Sequence, residues 1–219
     1  MTTTTMPAPD ALSGESWPRR RLWTRAEYYR AAEDGIFAPG ERLELIRGEI
    51  LYMSPQRQPH STGVRLTDVA LQDVFEGSPC DIRTQLPLTL PDDSEPEPDV
   101  LVVRGGIRDY ERRHPGPADV LLLVEVSDAT LAFDRDVKAR LYAEAGIPEY
   151  WVLDLRNRRL LAYRAPNDGL YPEPTEYRED EQVTPVNAPR QGVSVRVADL
   201  LPTAAAEDAE TGPDADARG

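Results

Sequence analysis

Apolar residues recur at two spacings along this chain, and the switches between them mark its elements. Thr24 and Glu27 form a capping-box pattern that opens a short helix closed near Gly35. Arg42–Ile46 and Glu49–Met53 alternate apolar and polar on either side of Arg47-Gly48, which predicts a hairpin. Ser61 is placed to cap a helix running to about Phe75, with Val64, Leu71 and Phe75 along one side and Gly77 as its stop. Three strands are predicted next, Asp81–Leu90, Asp99–Val103 and Val120–Ser127. The last is apolar on both faces through Val120–Val124, as a central strand covered on each side should be. Asp134 then caps a predicted helix whose Val137, Leu141, Tyr142 and Ala145 form its core stripe, ended by Gly146 and Pro148. A second hairpin pairs Glu149–Asp154 with Leu160–Arg164. Residues 165–191 read as loop, and Val193–Val197 as a last short strand. The expected class is therefore α/β, with a mixed sheet.

The pattern stops at both ends. Residues 1–21 and 203–219 have no periodicity and read as disordered tails flanking one domain over residues 22–202. No stretch approaches the roughly 20 apolar residues of a membrane span, and the Thr/Pro-rich start lacks a signal-peptide pattern, so a cytoplasmic protein is expected. Cys80 is the only cysteine, which excludes an internal disulfide and a thiolate-rich zinc site. Neither a phosphate-binding P-loop nor a dinucleotide glycine fingerprint is present.

Charge changes the picture further. The net charge is −14; residues 203–219 hold five acids and one arginine, a net −4, which leaves −10 on the rest. An acidic body does not adhere to nucleic acid unaided, so any grip needs a local arginine patch, a metal ion or a second subunit. Of the 25 basic residues 24 are arginine, and Lys138 is the sole lysine. Either it is a chance survivor, or its position needs a compact, rotatable ammonium that the planar guanidinium cannot imitate.

Glu125 is the anomaly in the apolar run Leu121-Leu122-Leu123-Val124-Glu125-Val126. A buried, unpaired carboxylate costs several kcal/mol, so a partner, a metal or a proton must face it, unless it merely reaches solvent at the strand end or pairs with an arginine. By alternation it shares a face with Leu121, Leu123 and Ser127. Asp99 opens the neighbouring strand after Pro98, where its side chain can project beside Glu125; the alternative is a simple turn residue. Lys138, one position beyond Val137, lies at the edge of the stripe that packs its helix on the sheet. Two carboxylates and a cation at one sheet rim suit a hard, oxygen-bound ion such as Mg²⁺ or Mn²⁺ and phosphodiester chemistry.

The order Pro98-Asp99, Glu125-Val126-Ser127, then Lys138 on the next helix resembles the PD-(D/E)xK nuclease superfamily, and within it the Uma2-like restriction-endonuclease-like proteins. Similar signatures stand at Leu43–Glu49, at Met53-Ser54-Pro55, at His60 and at Tyr142–Trp151. The superfamily usually has its lysine two residues after the acid, where this chain has Ser127; in the Uma2-like family it lies on the following helix, as Lys138 does. The resemblance implies an αβββαβ core preceded by an extra helix and hairpin. It implies Asp99, Glu125 and the Val126 carbonyl as ligands of Mg²⁺ or Mn²⁺, Lys138 as the catalytic cation, Glu44 and His60 as supporting catalytic residues, and a homodimer. Taken by themselves, Glu44 can be a solvated strand charge. His60 can orient a water, donate to phosphate or only finish a helix start.

The function expected on these grounds is metal-dependent endonucleolytic hydrolysis of phosphodiester bonds, with DNA ahead of RNA as partner. A catalytically silent binding or regulatory module on the same fold is the alternative, favoured by the acidic body and Ser127. A phosphoesterase of small nucleotides is the third reading. The arginine-rich loop Arg108–Arg113 is a candidate backbone grip, His114 a surface residue, and Tyr150 and Trp151 are core.

Overall fold

The computed structural model describes residues 20–91 and 93–203, so the predicted tails lie outside the described residues apart from Arg20, Arg21 and Thr203. The capping box forms: Thr24 accepts from the Glu27 N–H, Glu27 accepts from the Thr24 N–H at 3.0 Å, and α1 spans Arg25–Glu33. Next, β1 (Leu43–Ile46) and β2 (Glu49–Tyr52) pair antiparallel. Arg47 (φ 51°) and Gly48 (φ 75°) both occupy the left-handed region that a two-residue hairpin turn demands. A Cβ at Gly48 would also lie 2.7 Å from Leu22 Cβ, so the chain entering α1 packs only against glycine.

The second helix, α2 (Gln58–Val74), starts before the position expected from Ser61. Pro59 supplies the pre-set first turn and Arg57 is the uncapped N-cap residue, so Ser61 sits inside the helix and its N–H donates to the Arg57 carbonyl at 3.1 Å. The first predicted strand of the sheet is also cut short. β3 covers only Cys80–Arg83, because Gln85 turns to φ 52° and donates its N–H to the Pro98 carbonyl at 3.0 Å.

The sheet continues with β4 (Val100–Arg104), β5 (Val120–Ser127), β6 (Glu149–Asp154), β7 (Arg159–Arg164) and β8 (Thr175–Arg178). Its order is β3-β4-β5-β6-β7-β8, with β5 and β6 parallel and every other pair antiparallel. β8 falls in the stretch expected to be loop. Its residues are mostly exposed, so no apolar alternation announces it, and it exists by pairing its backbone with β7 at the sheet edge. β9 (Gln182–Val183) and β10 (Val195–Arg196) make a small separate pair, shorter than the predicted Val193–Val197.

Between β5 and β6 the chain is helical from residue 131, first as a wide π-turn over Phe133–Lys138 and then as α3 (Ala139–Glu144). The wide turn rotates the expected stripe: Val137 is 39% exposed and Lys138 is 2% exposed, the reverse of a continuous 3.6-residue helix. Asp134 lies within this turn rather than capping it, with its own N–H on the Thr130 carbonyl.

Two apolar layers flank the sheet. Val100, Val102, Leu122, Val124 and Trp151 pack against α2, while Leu101, Leu123, Tyr150 and Val152 pack against α3 and the first hairpin. Leu121 joins the α2 layer, contrary to simple alternation, because the register shifts between Val102 and Val103 and inserts an extra residue in β5. The order α2, β3, β4, β5, α3, β6 is the expected αβββαβ core, preceded by α1 and its hairpin. No helix among the described residues is long and apolar enough to cross a membrane.

Candidate active site

Antiparallel pairing of β4 with β5 sets the start of one beside the end of the other. Val100 is the last β4 partner, opposite Val124, so Asp99 stands where the ladder stops and its side chain takes over the missing strand. Its Oδ2 accepts the Val126 N–H at 2.9 Å and its N–H faces Glu125 Oε2 at 3.4 Å. Because a strand residue turns its N–H and C=O to the same edge, the Val126 carbonyl points into this gap. Gln85, from the broken end of β3, donates to Asp99 Oδ1 at 3.1 Å. The strained turn at Gln85 thus delivers an amide to the carboxylate.

Glu125 projects toward α3. Its Oε1 accepts from Lys138 Nζ at 2.9 Å and from the Tyr142 hydroxyl at 2.8 Å. Lys138 also lies 3.3 and 3.2 Å from the two oxygens of Glu44 on β1. His60, in the first turn of α2, brings Nε2 to 3.2 Å from Asp99 Oδ2. All five side chains named from the sequence, Asp99, Glu125, Lys138, Glu44 and His60, therefore come together and line one cleft of about 490 Å³, with Val126 beside them. The Arg108–Arg113 loop does not join them. It leaves from the far end of β4, and Arg113 is held by Asp119 and by the face of Tyr110.

One buried ammonium cannot neutralise so many acids. Burial, then the Glu125 charge, pushes the Asp99 carboxyl up to about 8, against the Val126 N–H and Lys138. Burial and Glu125 likewise raise Asp134 to about 6 although Thr130 donates to it at 2.7 Å. Burial raises Glu44 against the pull of Lys138. Desolvation alone would lower Lys138, yet Glu125, Glu44 and Asp134 outweigh it and hold the ammonium charged. His60 is lowered by burial and by Arg42. Burial thus acts on both partners of the 3.2 Å His60–Asp99 contact, disfavouring the charged form of each.

The donors present suit a hard divalent cation: two buried carboxylates from adjacent strand ends, one main-chain carbonyl, and a surplus of negative charge. Among the described residues no three His, Cys, Asp or Glu side chains form a ready metal cage. An ion here would complete its shell with water, which Mg²⁺ does readily.

Sequence reasoning missed three participants. Tyr142 read as core, although it lies four residues beyond Lys138 on the same helix face, a spacing that could have flagged it. Asp134 read as a cap. Gln85 has no local signal, since only the fold carries it to Asp99.

An αβββαβ mixed sheet with two acids and a lysine at the meeting of its central strands defines a restriction-endonuclease-like protein. The chain belongs to the Uma2 family, described as "Putative restriction endonuclease", which matches residues 25–198. Its fold is similar to the crystal structure of a "putative nuclease belonging to DUF820" from Anabaena variabilis. The identity is 16%, 81% of this chain and 96% of that chain are covered, and the TM-score is 0.59. No curated protein matches the chain. Family and fold together support a nuclease.

Proposed function

We propose that the protein is a Mg²⁺-dependent endonuclease hydrolysing phosphodiester bonds, with DNA preferred to RNA and Mn²⁺ able to substitute. The observation that carries this is the convergence of Asp99, Glu125 and the sole lysine in one cleft, with Lys138 Nζ 2.9 Å from Glu125 Oε1. Asp99, Glu125 and the Val126 carbonyl would hold the ion. When bound it would supply Lewis-acid charge to the phosphoryl oxygens and a more acidic water. Lys138 holds Glu125 in place and keeps a positive charge at the cleft floor, below the phosphoryl oxygens on which negative charge would develop. Glu44 fixes the ammonium from its other side. His60, whose Nδ1 is buried without a partner while Nε2 faces Asp99, would serve as a proton acceptor at Nδ1. Gln85 and Tyr142 position the two carboxylates.

The test is plasmid nicking with Mg²⁺, with and without EDTA. Wild type should nick only without chelator, and Asp99→Asn and Lys138→Ala should each fall at least about a hundredfold, the scale of losing a transition-state charge contact. Three equal activities would remove the proposed roles.

A second reading has its own observation. Both Glu125 oxygens and both Asp99 oxygens already have protein partners, so the cluster can stand as a self-satisfied core in a silent binding module. Calorimetric titration with Mg²⁺ separates the two: the module takes up no ion in a Glu125-dependent way.

A further inference from the structure

The cleft has a charge deficit that the residues above do not meet. Glu44, Glu97, Asp99, Glu125, Asp128 and Asp134 all line it. Its buried cation, Lys138, is already shared between two carboxylates. A phosphodiester entering here meets acids first, and the ammonium at the floor is not free to receive it.

Arg42 lines the wall of the cleft and, among the described residues, forms no ion pair. It stands two residues before Glu44, so alternation sends both side chains to the same face of the hairpin, Glu44 at the floor and Arg42 nearer the opening. Its backbone is pinned, the carbonyl accepting the Met53 N–H at 2.8 Å across the hairpin. The side chain is half-buried. Its charge is felt across the cleft: it lowers His60 and opposes the burial that raises Glu97. A planar fork of N–H donors, anchored through its backbone at the entry to β1, is what bidentate phosphate recognition uses. Arg57, exposed at the start of α2, lines the same opening.

We propose that Arg42 binds a non-bridging oxygen pair of a nucleic-acid phosphate in this cleft, with Arg57 as a second, weaker contact at the mouth. This rests on the nuclease reading for its substrate class and explains how an acidic chain takes up a polyanion. The two arginines put positive charge at the wall and mouth of an otherwise acidic cleft.

The experiment measures affinity of the full chain for a fluorescein-labelled DNA duplex by anisotropy, in EDTA and again with Ca²⁺, across a salt series. Nicking kinetics with Mg²⁺ accompany it. Arg42→Ala should weaken binding about tenfold or more and reduce the slope of log Kd against log salt by about one, the signature of one lost phosphate contact. KM should rise more than kcat falls. Arg42→Lys should keep the slope but recover only part of the affinity, since it keeps the charge and loses the fork. Arg57→Ala should show a smaller loss, and Arg104→Ala, at the far end of β4, almost none. Equal melting temperatures for all variants exclude misfolding as the cause.

If wild type nicks and Arg42→Ala matches it in affinity and slope, the Arg42 assignment is overturned while the nuclease reading stands. If wild type binds the duplex through Arg42 but never nicks, the hydrolase reading falls and this one stands. A wild type that binds no duplex in either buffer, or an Arg104→Ala slope change equal to that of Arg42→Ala, overturns the proposal.

Discussion

Two glutamates are buried at opposite rims of the same sheet, Glu149 where β6 begins and Glu125 near the end of β5. Glu149 is a closed account of donors: Oε1 accepts from Arg164 at 2.8 Å and Trp151 at 2.9 Å, and Oε2 accepts the Val186 N–H at 2.6 Å. Those contacts tie β7 and the loop after β9 to the sheet. Around Glu125, by contrast, Asp99, Glu44 and Asp134 crowd one ammonium, and burial pushes all three of these toward holding protons. A buried carboxylate with dedicated donors is architecture. Carboxylates in surplus over cations are stored electrostatic stress, tolerable where an incoming cation relieves it.

The sharpest way to break this contrast is to delete one partner at each rim. Lys138→Ala should cost about 4 kcal/mol in urea denaturation at pH 8, because it leaves several acids with no cation. Lowering the pH toward 5 should shrink that cost as the acids take up protons. Glu149→Ala should cost about 2 kcal/mol, less because Arg164 reaches partial solvent, and with no such pH rescue. Equal pH dependence for the two variants would erase the distinction between the rims.

A second pH effect follows from Asp99. Its folded pKa, about 8, lies above its ordinary value of 3.8, so its proton contributes stability that is complete below pH 4 and lost as pH rises through 8. In EDTA the chain should lose stability steadily across that window, with Asp134 adding to the slope at its lower end. Asp99→Asn should flatten the curve, and saturating Mg²⁺ should lift its alkaline end. A denaturation midpoint independent of pH in EDTA would show that the acids share no proton.

Smallest is Tyr142→Phe, which removes one donor from Glu125 and little volume. A loss of about 1 kcal/mol in stability is expected, together with about a tenfold weaker Mg²⁺ affinity by calorimetry. Unchanged affinity would make the hydroxyl a core contact only.

Legibility differed by element. The capping box, the Arg47-Gly48 hairpin and the central strand from Val120 to Ser127 were readable because their causes lie within a few residues of each other. Asp99, Glu125 and Lys138 could be singled out one at a time, as an acid in an apolar strand, an acid after a proline and a lone lysine. β8 was invisible because an exposed edge strand needs no apolar pattern. Val137 was misassigned because the π-turn that expels it answers to the burial of Lys138 against Glu125 and Glu44, partners 13 and 94 residues away.

The sequence by itself therefore determined the class of sheet and the order of its core elements, and it singled out Asp99, Glu125 and Lys138. Each of those depends on short-range periodicity, capping or the cost of burying charge. Only the tertiary structure decided that one lysine serves two glutamates, that Gln85 and Tyr142 contact the acids, and that Arg42 lines the same cleft with no ion pair among the described residues. Such matters depend on distances between residues remote along the chain, and no local pattern encodes them.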